Sequence, residues 1–190
     1  MRIISGKFRG KKLTKFNQKG IKPTTDKIRE SVFNIIISYL KINGKNGENQ
    51  FEGFNILDVF AGTGALGLEA ISRGAKNVTF IEKSRDNLRV LYKNVDHLKV
   101  NENVKIIKRS IRKVKKIEEK FDLIFIDPPY QMNLIIKKTL KKILYFKIIK
   151  KKTLIVLEHS NKKKIPIPKD FEIIKEKYYG NSGLTLVKLK

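Results

Sequence analysis

The sequence predicts an α/β fold in which a mostly parallel β-sheet is covered by helices on both faces. From residue 54 onward, short apolar runs typical of buried strands alternate with longer segments that carry the apolar spacing of a helix. A glycine-rich turn follows the first of these strands. The length of 190 residues suits one domain with a substantial core.

The individual elements follow from this alternation. Strands are predicted over 54–59, 78–81, 104–107, 121–126 and 153–157, and helices over 65–73, 84–97 and 134–149. Two further strand-like runs, at 171–178 and 184–189, are joined by the loop 179–183, which contains Gly180 and Gly183. That pattern is typical of a β-hairpin, so we expect an antiparallel pair at the end of the chain.

The region before the first strand has a different character. Residues 1–22 are basic and punctuated by glycines, which predicts a small β-hairpin or an extended arm. Residues 23–42 have apolar side chains at helical spacing, and Thr24 or Thr25 is suited to cap the start of that helix. We divide the chain into a basic N-terminal arm at 1–22 and a larger domain at 23–190.

The formal net charge of +25 has two explanations. Such a charge attracts a polyanion, and phosphate contacts can dominate the affinity of a protein for nucleic acid. The excess of lysine over arginine and of isoleucine over valine is also what an AT-rich genome produces. The charge therefore favours an anionic partner without identifying one.

Several classes of protein do not fit the composition. The chain has no cysteine, so disulfides and thiolate metal sites are excluded, and His97 and His159 are too far apart in sequence to suggest a metal site. The apolar part of the N-terminus is too short for a signal-peptide core, and no apolar run approaches the roughly 18 to 20 residues that cross a membrane. We expect a soluble, cytoplasmic protein without a metal.

The segment from Asp58 to Gly67 has the pattern of a strand end, a glycine-rich turn and a helix start. Its glycines match G-x-G-x-x-G, in which glycine lets the backbone turn sharply and approach a ligand. Taken alone, this pattern fits both an NAD-dependent dehydrogenase and a methyltransferase. We assign the residues of the turn to cofactor binding: Phe60, Gly62, Thr63, Gly64 and Gly67.

Two carboxylates distinguish between these cofactors. Asp58 precedes the turn, where it would repel a pyrophosphate but suits the ammonium and sulfonium charges of S-adenosylmethionine (SAM). Glu82 ends the second strand, where an acid can accept hydrogen bonds from the ribose hydroxyls of either cofactor. A strand-turn-helix corner without a ligand is the alternative, and an acid at both strand ends argues against it. The segment therefore predicts a SAM site.

A buried strand leads directly into Asp127-Pro128-Pro129-Tyr130. Ligands of parallel α/β sheets bind at the carboxyl ends of the strands, so we expect this tetrapeptide beside the glycine turn if the two strands are neighbours. The Asp127 carboxylate and the Pro128 carbonyl can accept the two N–H groups of a planar amine, which frees the nitrogen lone pair to attack a methyl group. The prolines restrict the backbone, and Tyr130 offers a face for stacking a base.

These residue types predict catalysis of amino methylation. The proton can leave the amine after methyl transfer, so no strong base is needed, and the motif has no histidine or cysteine close to it. A strand-terminating Asp-Pro turn is the alternative interpretation. The preceding buried strand and the upstream turn after Asp58 favour catalysis, although the same chemistry would serve adenine, guanine or an amide.

Four segments of the chain resemble the RsmD family, bacterial methyltransferases that form N2-methylguanine in small-subunit (16S) ribosomal RNA. Two of them, 2–13 (RIISGKFRGKKL) and 22–34 (KPTTDKIRESVFN), are specific to that family. The other two, 60–70 (FAGTGALGLEA) and 127–130 (DPPY), recur in many amino-methyltransferases. The resemblance extends over nearly the whole chain.

The resemblance implies a Rossmann-like class I SAM-dependent methyltransferase. It implies a seven-stranded, mostly parallel sheet with its last strand antiparallel and a short N-terminal β extension that helps to grip RNA. The implied partner is 16S rRNA or the assembling 30S subunit, and we expect a monomer. The family also suggests that the Pro-Thr-Thr-Asp loop, which contains Thr25, and Arg29 close over the cofactor and the target base. After the third strand such families often have a small polar residue followed by alanine in contact with adenine; here Ser110 is the counterpart, and isoleucine follows it. By residue type alone, Thr25 is a helix cap and Arg29 an unpaired surface arginine.

Other functions stay open on the sequence. The amine could belong to adenine in nucleic acid or to a protein glutamine, although glutamine-modifying relatives usually have asparagine at the position of Asp127. A non-catalytic RNA-binding assembly factor on the same scaffold is a further alternative, against which Asp58, Glu82 and Asp127 argue. Asp58 also argues against an NAD-dependent oxidoreductase.

Overall fold

The computed structural model describes residues 1–15, 26–41, 49–129, 133–161 and 164–190. Its helices are α1 (Asp26–Leu40), α2 (Ala65–Ser72), α3 (Arg85–Leu98) and α4 (Asn133–Phe146). Its strands are β1 (Asn55–Val59), β2 (Asn77–Ile81), β3 (Val104–Ile107), β4 (Phe121–Ile126), β5 (Ile149–Ser160), β6 (Phe171–Tyr179) and β7 (Ser182–Leu189). In the part of the chain so described, no helix has the length and apolar character needed to cross a membrane.

The strands form one seven-stranded sheet with the order β3-β2-β1-β4-β5-β7-β6. Strands β1 to β5 pair in parallel, whereas β7 runs antiparallel to both of its neighbours, β5 and β6. The mostly parallel sheet with an antiparallel last strand is therefore confirmed. The strand order reverses direction at β1, which lies between β2 and β4, and open α/β sheets bind ligands at such a switch point.

Alternating side chains of the central strands enter two separate cores. Ile56 and Phe125 point to the face that carries α1, α2 and α3, while Leu57 and Ile124 point to the face that carries α4. Because β1 and β4 are buried on both faces, their sequences are almost continuously apolar. This arrangement explains why these strands were recognisable as short apolar runs.

The boundary between α4 and β5 differs from the sequence expectation. Helix α4 ends at Phe146 rather than at residue 149, because Lys147 has a left-handed backbone with φ of 55°. The carbonyl of Ile148 then accepts a hydrogen bond from the Phe121 amide at 2.9 Å, so the chain already follows β4 at this point. Strand β5 consequently starts at Ile149, and the exposed lysines at 150–152 hide its beginning from a pattern of apolar residues.

The terminal hairpin is tighter than predicted. Only Gly180 and Asn181 lie between β6 and β7, instead of the loop 179–183. Gly180 has φ of 55°, which glycine adopts readily in a two-residue turn. The two strands therefore pair as far as Tyr179 and Ser182.

The first 15 residues fold back on themselves. Arg2 and Lys12 form an antiparallel bridge, and the amide of Ile3 donates to the carbonyl of Lys11 at 3.0 Å. Apolar side chains of this segment join the core beneath α1, α2 and α3, namely those of Ile3, Phe8 and Leu13. The proposed boundary after residue 22 and the caps Thr24 and Thr25 lie outside the described residues, so the division into arm and domain stays a prediction.

Candidate active site

The carboxyl ends of three neighbouring strands bring the main predicted site residues to one edge of the sheet. The last residue of β1 lies opposite the last residues of β2 and of β4 in the register of the sheet. The residues that follow these strands are Phe60, Glu82 and Asp127, which therefore leave the sheet side by side. For Asp127, Pro128 and Pro129, the described residues of the tetrapeptide, the expected position beside the glycine turn is confirmed, since β1 and β4 are neighbours.

The turn after β1 has a backbone that requires glycine at two positions. Gly62 and Gly64 have φ of 55° and 83°, in the left-handed region that disfavours other residues. Phe60 shares this conformation with φ of 66°, and its amide donates to the Ile81 carbonyl at 3.0 Å. At Gly67 the constraint is close packing, because a Cβ there would lie 2.3 Å from the Phe80 ring and would push α2 away from β2. A contact of Gly67 with the cofactor stays a prediction.

Asp58 lies within β1, where it is buried with 2% of its surface exposed. Its Oδ2 accepts a hydrogen bond of 3.0 Å from the Gly67 amide. Burial raises the pKa of the Asp58 carboxyl to about 7, the charge of Glu82 adds to the rise, and the Gly67 hydrogen bond opposes it. A neighbouring cation would favour the charged form, so this carboxyl is suited to a positively charged ligand group.

Glu82 connects the glycine turn to the end of β2 through hydrogen bonds. Its Oε2 accepts from the Gly62 amide at 2.8 Å, and its Oε1 accepts from the amides of Lys83 and Ser84, each at 2.7 Å. A carboxylate oxygen has two lone pairs, so Oε2 can accept a further hydrogen bond from a hydroxyl. The predicted ribose contact is compatible with this geometry and stays a prediction.

Thr63 is held through its backbone by a residue that the sequence analysis did not single out. The Asn94 side chain, fully buried on α3, donates through Nδ2 to the Thr63 carbonyl at 3.0 Å. The same amide group donates to the Thr14 carbonyl at 3.2 Å and accepts from the Thr14 amide at 2.8 Å. Asn94 therefore joins the N-terminal segment to the glycine turn, and its position on the buried face of a helix was the available signal.

Asp127 occupies the first position beyond β4. Its side chain is half-buried, and its amide lies 3.5 Å from the Val59 carbonyl of the neighbouring strand. Pro128 is buried and Pro129 is exposed, and the two prolines remove backbone donors from this part of the edge. Tyr130 lies outside the described residues, so its stacking role stays a prediction.

A small cleft opens at Asp127, between the sheet and helices α1 and α2. Glu158, with 4% of its surface exposed, brings a second carboxylate to this cleft. The remaining lining residues are apolar: Val32, Leu66, Phe125, Ile126, Val156 and Leu184. Glu158 was not among the predicted site residues, although it has the sequence pattern that marks Glu82, an acid directly after a buried apolar run.

Arg29 is fully buried, which corrects the expectation of an unpaired surface arginine. Its guanidinium donates to the Arg2 carbonyl and to the Asp26 carboxylate, and its Nε lies 3.8 Å from the Glu69 carboxylate. Burial lowers the pKa of Arg29, while the charges of Glu69 and Asp26 raise it. These contacts join α1, α2 and the N-terminal segment, and a role of Arg29 in cofactor binding stays a prediction.

Ser110 follows β3, which pairs with β2 at the same edge of the sheet. Its hydroxyl accepts from the Arg112 amide at 3.4 Å and thereby caps a short 3-10 turn. Ser110 is half-buried. Because the strand order is β3-β2-β1, Glu82 at the end of β2 stands between Ser110 and the glycine turn along the edge of the sheet. The contact of Ser110 with adenine stays a prediction, and the other residue from the family comparison, Thr25, lies outside the described residues.

The strand order, the antiparallel β7 and the glycine turn after β1 define a Rossmann-like class I methyltransferase fold. The solved structure of yhhF from Escherichia coli matches with a TM-score of 0.81 and 29% identity, covering 100% of this chain and 98% of its own. A solved structure of a hypothetical protein from Thermus thermophilus matches with a TM-score of 0.76 and 26% identity, covering 100% of this chain and 99% of its own.

Sequence relatives define the family within this fold. The family model described as "Conserved hypothetical protein 95" matches residues 1–188. A "Ribosomal RNA small subunit methyltransferase D" from Buchnera aphidicola is 38% identical over 92% of this chain and 86% of its own length. The protein of the same name from Haemophilus influenzae is 35% identical over 95% of this chain and 89% of its own length. The chain therefore belongs to the RsmD family, as its two N-terminal segments predict.

Proposed function

We propose that the protein transfers a methyl group from SAM to the exocyclic N2 amine of a guanine in small-subunit (16S) ribosomal RNA. The observation that carries this proposal is the parallel pairing of β1 with β4. That pairing puts Asp127, a candidate acceptor for an amine, beside the turn that follows Asp58, a candidate partner for the cofactor's positive charge.

The residues of the turn fit SAM. When bound, SAM supplies an electrophilic methyl group carried on a sulfonium. Asp58 would face the positive charge, because a buried carboxyl gains most from a nearby cation. Glu82 would accept hydrogen bonds from ribose hydroxyls, and Ser110 would lie towards the adenine. The left-handed backbone at Gly62 and Gly64 lets the chain approach the ligand closely.

The tetrapeptide fits a planar amine as the acceptor. The lone pair of an exocyclic amine is delocalised into its ring, so the nitrogen is a poor nucleophile. Asp127 and the Pro128 carbonyl would accept its two N–H groups and draw the nitrogen towards tetrahedral geometry. The proton would leave after methyl transfer, so the site needs no strong base. The prolines hold the Pro128 carbonyl in place and thereby limit the reorganisation that the reaction requires.

The choice of ribosomal RNA rests on family membership. The relatives from Buchnera aphidicola and Haemophilus influenzae are named for ribosomal RNA of the small subunit. A net charge of +25 is compatible with a polyanionic substrate. Several basic side chains of the first 15 residues are exposed, as RNA contact requires: Arg2, Lys7, Arg9, Lys11, Lys12 and Lys15.

The test is to incubate the protein with radiolabelled SAM and with 30S particles, naked 16S rRNA or DNA. Nucleosides from the digested substrate are then identified by mass spectrometry. We expect label in N2-methylguanosine from one of the two RNA substrates. Label in N6-methyladenosine, in DNA or in a protein glutamine would overturn the proposed target. SAM binding without transfer to any substrate would favour a non-catalytic assembly factor.

We also infer that the protein acts as a monomer in the cytoplasm. This inference follows from the expectations drawn from the sequence, and light scattering of the purified protein tests the oligomeric state. A dimer that persists at micromolar concentration would overturn it.

A further inference from the structure

A second acid stands next to Asp127 at the active-site edge. Strands β4 and β5 pair in parallel, and Ile126 lies opposite Leu157 in their register. The residues that follow this pair are Asp127 and Glu158, so the two acids are neighbours across adjacent strands, which lie about 4.8 Å apart.

Both acids face the same side of the sheet. Side chains alternate along a strand, and Phe125 and Val156, two positions earlier, enter the core beneath α1, α2 and α3. Asp127 and Glu158 continue this alternation and line the same cleft. Asp127 is half-buried, whereas only 4% of the Glu158 surface is exposed, so Glu158 forms the deeper wall.

The surroundings of Glu158 favour a ligand that donates hydrogen bonds. Strand β7 is the other neighbour of β5, and there Leu184 lies opposite Glu158 in the register. The cleft around Glu158 is lined by aliphatic side chains such as those of Val32 and Val156. Carboxylates in such apolar surroundings are stabilised by hydrogen bonds from donors. A nucleobase edge with two adjacent donors would match two adjacent carboxylates.

We propose that Glu158 is a specificity-determining residue that accepts the N1–H of the target guanine while Asp127 accepts a hydrogen of its N2 amine. This proposal rests on the proposed function and deepens it. Guanine carries N1–H directly beside the N2 amine, so its edge presents donors to both acids. Adenine carries an unprotonated N1 beside its amine, and that lone pair would face the Glu158 carboxylate.

This assignment gives the site the base preference that the tetrapeptide alone lacks. Asp127 and the Pro128 carbonyl recognise an amine, which adenine and guanine share. Glu158 recognises the ring nitrogen next to it, at which the two bases have opposite hydrogen-bonding character. A site whose buried polar group is left unmatched rejects the wrong ligand strongly.

The test uses two small-subunit RNAs prepared by splint ligation. One carries guanosine at the mapped target nucleotide, and the other carries 2-aminopurine riboside there. 2-Aminopurine keeps the amine, but its N1 is an acceptor as in adenine. Wild-type protein should methylate the 2-aminopurine RNA at least about tenfold less efficiently in kcat/KM than the guanosine RNA. Glu158→Gln supplies an amide N–H for that N1, so it should raise the ratio of 2-aminopurine to guanosine activity by at least about tenfold.

Glu172→Gln is the matched control, because Glu172 lies on β6 in an exposed ion pair with Lys188. It should leave the ratio unchanged. Equal losses on both substrates in Glu158→Gln, or an unchanged ratio, would assign Glu158 a structural role and overturn the proposal. If Glu158→Gln fails to fold, the wild-type comparison decides alone, since equal activity on the two RNAs also overturns it. Methylation of adenine instead of guanine by the wild type would overturn the proposed function itself.

Discussion

The side-chain amide of Asn94 donates a hydrogen bond of 3.0 Å to the carbonyl oxygen of Thr63 in the glycine turn. The same amide exchanges two hydrogen bonds with the backbone of Thr14, of 2.8 and 3.2 Å. One fully buried side chain on α3 thus holds both the candidate cofactor turn and the N-terminal segment. The position of the turn consequently depends on a segment far from it in sequence.

Asn94→Ala should destabilise the protein and weaken cofactor binding together. The variant leaves backbone groups of Thr14 and Thr63 without their partner, which should lower the free energy of unfolding by about 2 to 4 kcal/mol. Urea denaturation measures this change, and calorimetry with SAM should show an affinity several-fold weaker. Asn101→Ala, at an exposed position, should change stability by less than about 0.5 kcal/mol. A destabilised Asn94 variant with unchanged SAM affinity would show that Asn94 does not position the turn.

Asp58 should make stability depend on pH. Burial raises its pKa from 3.8 to about 7, so the folded state binds this proton more tightly than the unfolded state does. The stabilising effect of the proton is complete below about pH 4 and is lost as pH rises towards 7. Asp58→Asn carries no titrating group there, so it should become more stable relative to wild type between pH 5 and pH 8, by on the order of 1 to 4 kcal/mol.

Urea denaturation of both proteins at several pH values measures this difference, because all other titrating groups are shared. A stability difference that does not change with pH would mean that Asp58 titrates near its ordinary value. Asp58→Asn should also bind SAM more weakly at pH 7.5, since the carboxylate charge is gone. An unchanged affinity for SAM would show that Asp58 does not interact with the positive charge of the cofactor.

The candidate site was predictable where its signal is local in sequence. Asp58, Glu82 and Asp127 each stand at or after the end of an apolar run, and parallel strands bring such ends to one edge. The roles of Asn94 and Arg29 depend on contacts with distant segments, such as the one between Asn94 and Thr14, 80 residues apart. The apolar spacing of a helix shows which face is buried, but it does not show which distant backbone groups a polar residue on that face contacts.

Arg29→Met should reveal whether this arginine is structural. Its guanidinium is fully buried between Asp26, Glu69 and the Arg2 carbonyl, so its removal leaves that carbonyl without its donor and leaves Glu69 with only one of its two arginine neighbours, Arg73. We expect the free energy of unfolding to fall by about 3 kcal/mol, measured in urea.

Arg89→Met is the control for this substitution, because the Arg89 side chain is 78% exposed in a surface ion pair with Asp86. It should cost less than about 1 kcal/mol. Unchanged stability of Arg29→Met, combined with SAM affinity more than tenfold weaker, would support the cofactor role that the family resemblance implies instead of the structural one.

Asp127→Ala should separate catalysis from cofactor binding. The variant removes one of the two proposed acceptors for the amine, so methyl transfer should fall by at least about 100-fold. SAM affinity should stay within a few-fold of wild type, because the turn after β1 is untouched. Asp170→Ala, at an exposed position, should keep normal activity. Wild-type turnover in Asp127→Ala would show that the mechanism proposed for the tetrapeptide is wrong.

The exposed lysines of the N-terminal segment should contribute to RNA affinity through phosphate contacts. Lys7, Lys11 and Lys12 are all exposed, and the ammonium groups of the first two lie 5.6 and 5.0 Å from the centre of the Phe8 ring. Replacing all three by glutamine should weaken RNA binding and reduce the slope of log K against log salt concentration by about 2, as expected if each contacts a phosphate. Filter binding between 50 and 300 mM salt measures the slope.

The matched control carries the same loss of charge on the other face of the sheet. Lys137, Lys138 and Lys141 are exposed on α4, which packs on the opposite side from the N-terminal segment. Lysines that result only from coding bias would be spread over the surface without regard to the RNA site. Equal slopes of log K against log salt concentration for the two triple variants would therefore show that the N-terminal lysines make no special contribution to RNA binding. A smaller slope for the N-terminal variant alone would instead place the RNA backbone against the segment that Asn94 connects to the glycine turn.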